Sequence, residues 1–143
     1  MYTTILHATD LSEYHYELSQ KAAEMAQLFK AKLHLLHVIQ PPTSMQIAQG
    51  LGFADFDAPV KDNAQTVMNV LGDALNIPSA QLMVEIGSVK HTILSKAKEL
   101  GCGLIIIGSH TPSHLEPFLG SIAHAVVHHA HCDVLTLRTN TLT

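Results

Sequence analysis

Charged residues are scarce in this chain. Only 14% of its 143 residues are Asp, Glu, Lys or Arg, and the eight Lys and Arg are scattered along the sequence. With a formal net charge of −4 and no basic run, the composition argues against a nucleic-acid partner bound by a basic face. Apolar residues make up 47% of the chain, which is typical of a globular protein rather than a disordered one.

Membrane-spanning runs and cysteine pairs are also missing. No apolar run approaches the roughly 20 residues needed to cross a bilayer. The N-terminal MYTTILHATDL has neither the basic segment nor the cleavage site of a secretory signal. Cys102 and Cys132 are the only cysteines, too few for a disulfide framework. We therefore expect no membrane partner, a cytoplasmic location, and a single domain over residues 1–143.

Apolar runs and helical patterns alternate along the sequence. The runs predict five strands, at residues 3–8, 32–38, 81–86, 103–108 and 133–138. Four amphipathic patterns predict helices at about 14–29, 60–75, 89–100 and 122–130. This alternation predicts an α/β fold, a doubly wound five-stranded parallel sheet with four helices on its two faces. Ser12 and Ser88 are predicted N-caps, and Gly101 a C-cap.

A long connection, residues 39–58, separates the second strand from the second predicted helix. It contains Pro41, Pro42, Gly50 and Gly52 among mixed apolar residues. Connections of this length are usually lids, binding loops or interface segments. The alternative is a surface loop with little order.

Two polar strand ends are expected to meet in this fold. We predict the strand order 3-2-1-4-5, which reverses between the first and fourth strands, where doubly wound sheets bind ligands. Thr9 and Asp10 follow the first strand, and the fourth ends in Gly108, Ser109 and His110. These five residues are therefore candidate binding residues.

Two consecutive small residues follow the fourth predicted strand, after an intervening loop. Gly120 and Ser121 begin a short helical pattern, and the free N–H groups of a helix N-terminus stabilise an anion such as phosphate. Each of these features also has a purely structural explanation. Asp10 could cap the first helix, Gly108 could end a strand, and Gly120-Ser121 could begin an ordinary helix. The combination nevertheless points to a nucleotide-phosphate site.

Four segments, taken in their order and spacing, carry a family resemblance. They are ILHATDLSE at the first strand, LHLLHVI at the second, LIIIGSH at the fourth, and LGSIAHAVVHHAHCDVLTLR at the end. On these segments the chain resembles the universal stress protein family over nearly its whole length. The resemblance implies a flavodoxin-like α/β sandwich and commonly a homodimer. Many members bind ATP or AMP, and another branch does not.

The resemblance also assigns roles to individual positions. Asp10 matches the acidic residue near the adenosine, Thr9 precedes it, and Val38 matches a residue whose backbone lies near the adenine. The residues that match the phosphate motif and the helix start behind it are Gly108, Gly120, Ser121, Ile122 and Ala123. The implied cofactor is an adenine nucleotide (AMP, ADP or ATP), and the only metal expected is a Mg²⁺ associated with it.

The loop between these glycines departs from the family pattern. Thr111 stands where the family has a second glycine, and threonine disfavours a positive φ. Pro112 has no N–H to offer a phosphate, and Glu116 adds a negative charge. The sequence therefore leaves two functions open, a stress-response protein that binds an adenine nucleotide, and an interaction module of the same family without nucleotide. No catalytic residue is predicted, and slow ATP hydrolysis is the least favoured reading.

Eleven histidines raise the question of a metal site. His124 and His128 are spaced i, i+4 on the last predicted helix, as metal-binding pairs often are. No third ligand is evident from the sequence, so we interpret them as surface residues and predict no protein metal site. His110 is a candidate ligand contact without a nucleophile to serve.

The predicted strand order places the last strand at one edge of the sheet. Unpaired edge strands are usually covered or paired with another chain. We therefore predict a homodimer formed through the C-terminal edge strand.

Overall fold

A computed structural model describes residues 1–52, 57–109 and 120–138. The described chain forms one five-stranded parallel sheet in the order β3-β2-β1-β4-β5. In sequence order the elements are β1 (Thr4–Ala8), α1 (Glu13–Phe29), β2 (Lys32–Ile39), α2 (Thr43–Gly50), α3 (Asp57–Leu75), a 3₁₀ turn (Ser79–Gln81), β3 (Leu82–Ile86), α4 (Val89–Glu99), β4 (Leu104–Gly108), α5 (Ser121–His129) and β5 (Asp133–Leu137). The predicted fold class and strand order are confirmed.

The predicted number of helices is wrong. The described residues contain five α-helices rather than four, because α2 lies inside the segment predicted as a long connection. Its eight residues include no buried side chain, and Ile47 is 58% exposed. A helix that contributes nothing to the core lacks the apolar stripe by which a helix is identified from sequence.

Successive side chains of each strand point to opposite faces of the sheet and form a separate core on each face. Ile5, Leu35 and Ile106 point toward α1 and α3. The neighbouring residues Leu6, Leu36 and Ile107 point toward α4 and α5, because successive side chains of a strand face opposite sides. Both faces of the central strands are thus buried, as their nearly continuous apolar sequences require.

The two predicted N-caps occupy the expected positions, whereas the C-cap of α4 is Leu100 and Gly101 is the residue after it. Ser12 and Ser88 are the N-cap residues of α1 and α4, but neither hydroxyl makes a capping hydrogen bond. Gly101 follows α4 with φ +66°, and the next N–H, that of Cys102, donates to the Ala97 carbonyl at 2.9 Å. This left-handed glycine ends the helix and returns the chain to β4. Within the described residues, no helix is long and apolar enough to cross a membrane.

Candidate functional site

A cavity of about 250 Å³ opens at the carboxyl ends of β1, β2 and β4. The turn after β1, the first turn of α1 and the N-terminal parts of α4 and α5 complete its walls. This is the predicted reversal point of the sheet, because β1 and β4 are neighbours while the chain continues from β1 to β2 on the other side. Parallel sheets of this kind bind their ligands here.

Most of the predicted site residues meet in this cavity. Its lining includes Thr9, Asp10, Val38, Gly108, Gly120, Ile122 and Ala123. Ser109 and Ser121 are not part of the lining. Ser109 is buried, and Ser121 is exposed at the start of α5. His110, like the family departures at Thr111, Pro112 and Glu116, lies outside the described residues. The roles assigned to all these residues stay predictions.

Two side chains hold the turn after β1 through short-range hydrogen bonds. Thr9 Oγ1 accepts a hydrogen bond from the Leu11 N–H at 3.1 Å, and Asp10 Oδ1 accepts one from the Ser12 N–H at 2.8 Å. Side chains of Thr and Asp commonly stabilise turns in this way. Leu11 has φ +63°, a conformation that costs a non-glycine residue free energy and persists only where its surroundings impose it. The turn therefore holds the Asp10 carboxylate at the rim of the cavity.

His15, on the first turn of α1, lies against this carboxylate. Its Nδ1 accepts a hydrogen bond from the Asp10 N–H at 3.4 Å, and its Nε2 lies 3.4 Å from Asp10 Oδ2. The His15 side chain is 14% exposed and that of Asp10 43%. Burial lowers the pKa of His15, Asp10 opposes that shift, and His37 adds to it. In the absence of a ligand, His15 is therefore held toward its neutral form near pH 7.

His37, near the end of β2, forms another part of the wall. Its Nδ1 lies 2.9 Å from the Thr9 carbonyl oxygen, and because a carbonyl can only accept, the ring donates through Nδ1–H. The Thr9 N–H in turn donates to the Leu36 carbonyl at 2.9 Å. These bonds tie the start of the turn to β2.

Gly108 lies in close contact with α1. A Cβ atom at this position would lie 2.9 Å from Leu18 Cδ1 and 3.4 Å from His15 Cε1. Glycine thus lets α1 approach the end of β4 and places the His15 ring beside it. The sequence-based expectation that Gly108 admits a ligand remains a prediction beside this packing role.

The N-terminus of α5 provides the remaining polar wall. The Gly120 N–H donates to the Ser109 carbonyl at 2.8 Å, so this donor is already engaged. The Gly120 carbonyl accepts from His124 as part of the first helical turn. The N–H groups of Ser121, Ile122 and Ala123 belong to that turn, where an α-helix has no internal partners for its donors. They are the donors that α5 offers to an anion.

The opposite wall is apolar. Val38, Val89, Ile93 and Ile107 line the cavity from β2, α4 and β4. A flat aromatic ring such as a purine suits apolar walls with a polar rim. The cavity therefore combines an apolar surface, a carboxylate able to accept hydrogen bonds, and the N-terminus of a helix.

The described residues contain no group of three or more His, Cys, Asp or Glu side chains that could hold a metal ion. His124 and His128 are exposed on α5, with parallel rings whose centroids are 6.2 Å apart. The structure places both on the surface.

Sequence reasoning missed His15 and His37 as site residues. His15 is five residues beyond Asp10, and the turn between β1 and α1 brings its ring back to the carboxylate. His37 precedes Val38, and its neighbours in sequence do not reveal its bond to Thr9. The high histidine content of the chain was the only indication in the sequence. It could not show that these two histidines line the cavity while others lie on the surface.

Comparison with known proteins agrees with the sequence resemblance. Residues 1–138 match the model of the universal stress protein family. Universal stress protein A homolog 2 of Coxiella burnetii is 37% identical over 122 residues, which are 85% of this chain and 84% of that protein. Universal stress protein UspA from Lactobacillus plantarum has a TM-score of 0.70 at 27% identity, over 96% of this chain and 98% of that one. A universal stress protein crystallised in complex with cAMP has a TM-score of 0.71 at 18% identity, over 96% and 97% of the two chains, a likeness in fold.

Proposed function

This chain belongs to the universal stress protein family, and we propose that it acts in the stress response by binding an adenine nucleotide in the cavity beside β1 and β4. The observation that carries the proposal is that seven of the predicted binding residues line one cavity. A solved universal stress protein of the same fold was crystallised with cAMP, which adds support for this class of ligand. The adenine would lie on the apolar wall, the ribose against Asp10, and the phosphates at the start of α5.

We propose a binding role rather than a catalytic one. Among the described residues that line the cavity, the ionisable side chains are those of Asp10, His15 and His37. Lys90, on α4, is exposed and is not part of this lining. Phosphoryl transfer relies on cations that stabilise charge developing on the transferred group. A cavity lined in this way is better suited to holding a nucleotide than to cleaving it.

Isothermal titration with AMP and ATP tests the proposal. We expect heat of binding for the parent protein, and at least about tenfold weaker affinity for Asp10→Ala, since a hydrogen bond to a charged group contributes about 1.5–3 kcal/mol. Asp73→Ala is the matched control, because Asp73 is exposed on α3 and away from the cavity. Mass spectrometry of the purified protein for a retained nucleotide gives an independent answer. Absence of binding at millimolar AMP and ATP would refute the proposal.

One observation favours the alternative, an interaction module without nucleotide. The Gly120 N–H already donates to Ser109, so one donor of the expected phosphate cradle serves the fold. Under this alternative the protein works through assembly alone, and the same titrations would show no heat with either nucleotide.

Two further parts of the proposal concern assembly and location. We propose a homodimer formed through β5, which is supported by its place at the edge of the sheet. We also propose a cytoplasmic location. Both cysteines are free thiols in the structure, as is usual in a reducing compartment.

A further inference from the structure

The cavity contains a negative charge where an anionic ligand is expected to bind. Asp10 lies at the rim, and no Lys or Arg is among the described lining residues. A nucleotide phosphate brings further negative charge, and like charges at short range in a partly buried site repel each other. A positive group that appears when the ligand arrives would offset this repulsion.

His15 has the position for that role. Its ring lies against the Asp10 carboxylate, with Nε2 3.4 Å from Oδ2, and against Gly108 at the end of β4. It also lines the cavity itself. The position adjoins the strand end where the phosphate side of the cavity begins, so a charge on the ring acts on both the carboxylate and the ligand.

We propose that His15 is a proton-linked binding residue, which takes up a proton when a nucleotide phosphate enters the cavity. This inference rests on the proposed nucleotide binding. The proton goes to Nδ1, since Nδ1 accepts the Asp10 N–H in the ligand-free protein and Nε2 carries the ring proton. That 3.4 Å bond is long, so little is lost when it breaks. The protonated Nδ1 and the released Asp10 N–H then become two donors toward the ligand.

The surroundings of His15 keep it neutral until then. Among the described residues, the titratable groups that act on the pKa of His15 are Asp10 in the turn after β1 and His37 on β2. His7 on β1 is neutral above about pH 4, because its own pKa is lowered by burial and by His15. Asp10 favours the charged ring, whereas burial and His37 oppose it. A bound phosphate adds a second negative neighbour and shifts the balance toward the charged form. Affinity for the nucleotide is thereby coupled to pH, highest in mildly acidic solution.

The test measures AMP and adenosine binding at pH 6 and pH 8 by isothermal titration, for the parent and for His15→Asn. Asparagine retains an acceptor for the Asp10 N–H but cannot take a proton near neutral pH. We expect the affinity for AMP to rise from pH 8 to pH 6 in the parent, and this rise should be at least about fivefold larger than the rise in His15→Asn. Uptake of one proton can change the affinity by at most tenfold per pH unit. Titration of the AMP phosphate itself affects both proteins equally. Adenosine, which lacks the phosphate, should bind the parent equally well at both pH values.

A second measurement does not depend on the variant. In an NMR titration of the parent, saturation with AMP should raise the pKa of His15, whereas saturation with adenosine should leave it unchanged. His129→Gln, which alters an exposed ring at the end of α5, is the control and should behave as the parent. If AMP binds with the same pH dependence in the parent and in His15→Asn, the inference is wrong while the proposed function stands. If neither ligand binds at either pH, the proposed function fails and this inference with it.

Discussion

The side chains of His7 and Ser19 are both fully buried and lie 3.0 Å apart, Nε2 to Oγ, between β1 and α1. His7 Nδ1 lies 2.9 Å from the Ile106 carbonyl oxygen, which can only accept, so Nδ1 carries the proton. Nε2 is then the acceptor for the Ser19 hydroxyl. One neutral imidazole thus links two strands and a helix beneath the candidate site.

Ser19→Ala should destabilise the protein by about 1–3 kcal/mol, because it leaves Nε2 of His7 buried without a donor. Urea unfolding of parent and variant measures the difference. Ser44→Ala, at an exposed position on α2, is the control and should change the free energy of unfolding by less than about 0.5 kcal/mol. Equal effects of the two substitutions would show that the buried hydrogen bond contributes nothing to stability.

His7 should make the protein less stable in acid. Burial lowers its pKa from 6.5 to about 4, so between these values the unfolded chain binds more protons than the folded one. Stability then rises with pH across that window and is lost as the pH falls through it, by about 3 kcal/mol in total. Unfolding free energies measured from pH 7 to pH 4 test this. His7→Asn, which cannot titrate there, should show a shallower dependence, although it is less stable at pH 7.

The fold was predictable from the sequence because local pattern and packing agree. Adjacent residues such as Ile5 and Leu6 pack on opposite faces of the sheet, so the strands appear as continuous apolar runs. Predicted and observed strand ends differ by a single residue. The helix α2 was not predicted because it buries no side chain and therefore has no apolar stripe.

The site was predictable only in part. Asp10 follows β1 and Gly108 ends β4, so both are visible in the sequence, whereas the position of His15 beside Gly108 depends on how α1 packs on β4. That packing rests on the missing side chain of Gly108, beside which Leu18 and His15 lie. Sequence spacing shows which residues are near the end of a strand. It does not show which residues of a helix pack against that end.

Gly108→Ala should disturb both the fold and the site. The added Cβ would lie 2.9 Å from Leu18 Cδ1 and 3.4 Å from His15 Cε1, and the Leu18 side chain is buried. Such overpacking costs about 1–3 kcal/mol, and displacement of His15 should weaken AMP binding. Thermal unfolding and titration measure the two effects.

Gly50→Ala is the matched control for that substitution. A Cβ there would meet no atom within 4 Å, and alanine favours the helical conformation of α2 by up to about 1 kcal/mol. The control should therefore be as stable as the parent or slightly more stable, with unchanged AMP affinity. If Gly108→Ala is equally well tolerated, Leu18 and His15 can move away freely and the packing argument is wrong.

The backbone groups that β5 leaves unpaired at the edge of the sheet can be identified. Within the described residues β5 pairs with β4 alone, and the Asp133 N–H and the Leu137 carbonyl both form hydrogen bonds toward that side. Backbone groups of successive residues in a strand point in alternate directions. The backbone N–H and C=O groups of Leu135 therefore also point toward β4. Those of Val134 and Thr136 point outward, where a second chain can pair with them.

Two copies that pair these edges antiparallel about a two-fold axis would satisfy both sets of outward groups. Multi-angle light scattering should then give about twice the chain mass of 15.5 kDa. Thr136→Pro should give the single-chain mass with the fold retained, because proline removes an outward N–H and spares the bonds to β4. Thr136→Ala, which keeps that N–H, should remain a dimer. A parent protein that is monomeric at tens of micromolar would rule out pairing through β5, and a dimeric Thr136→Pro would place the interface elsewhere on the molecule.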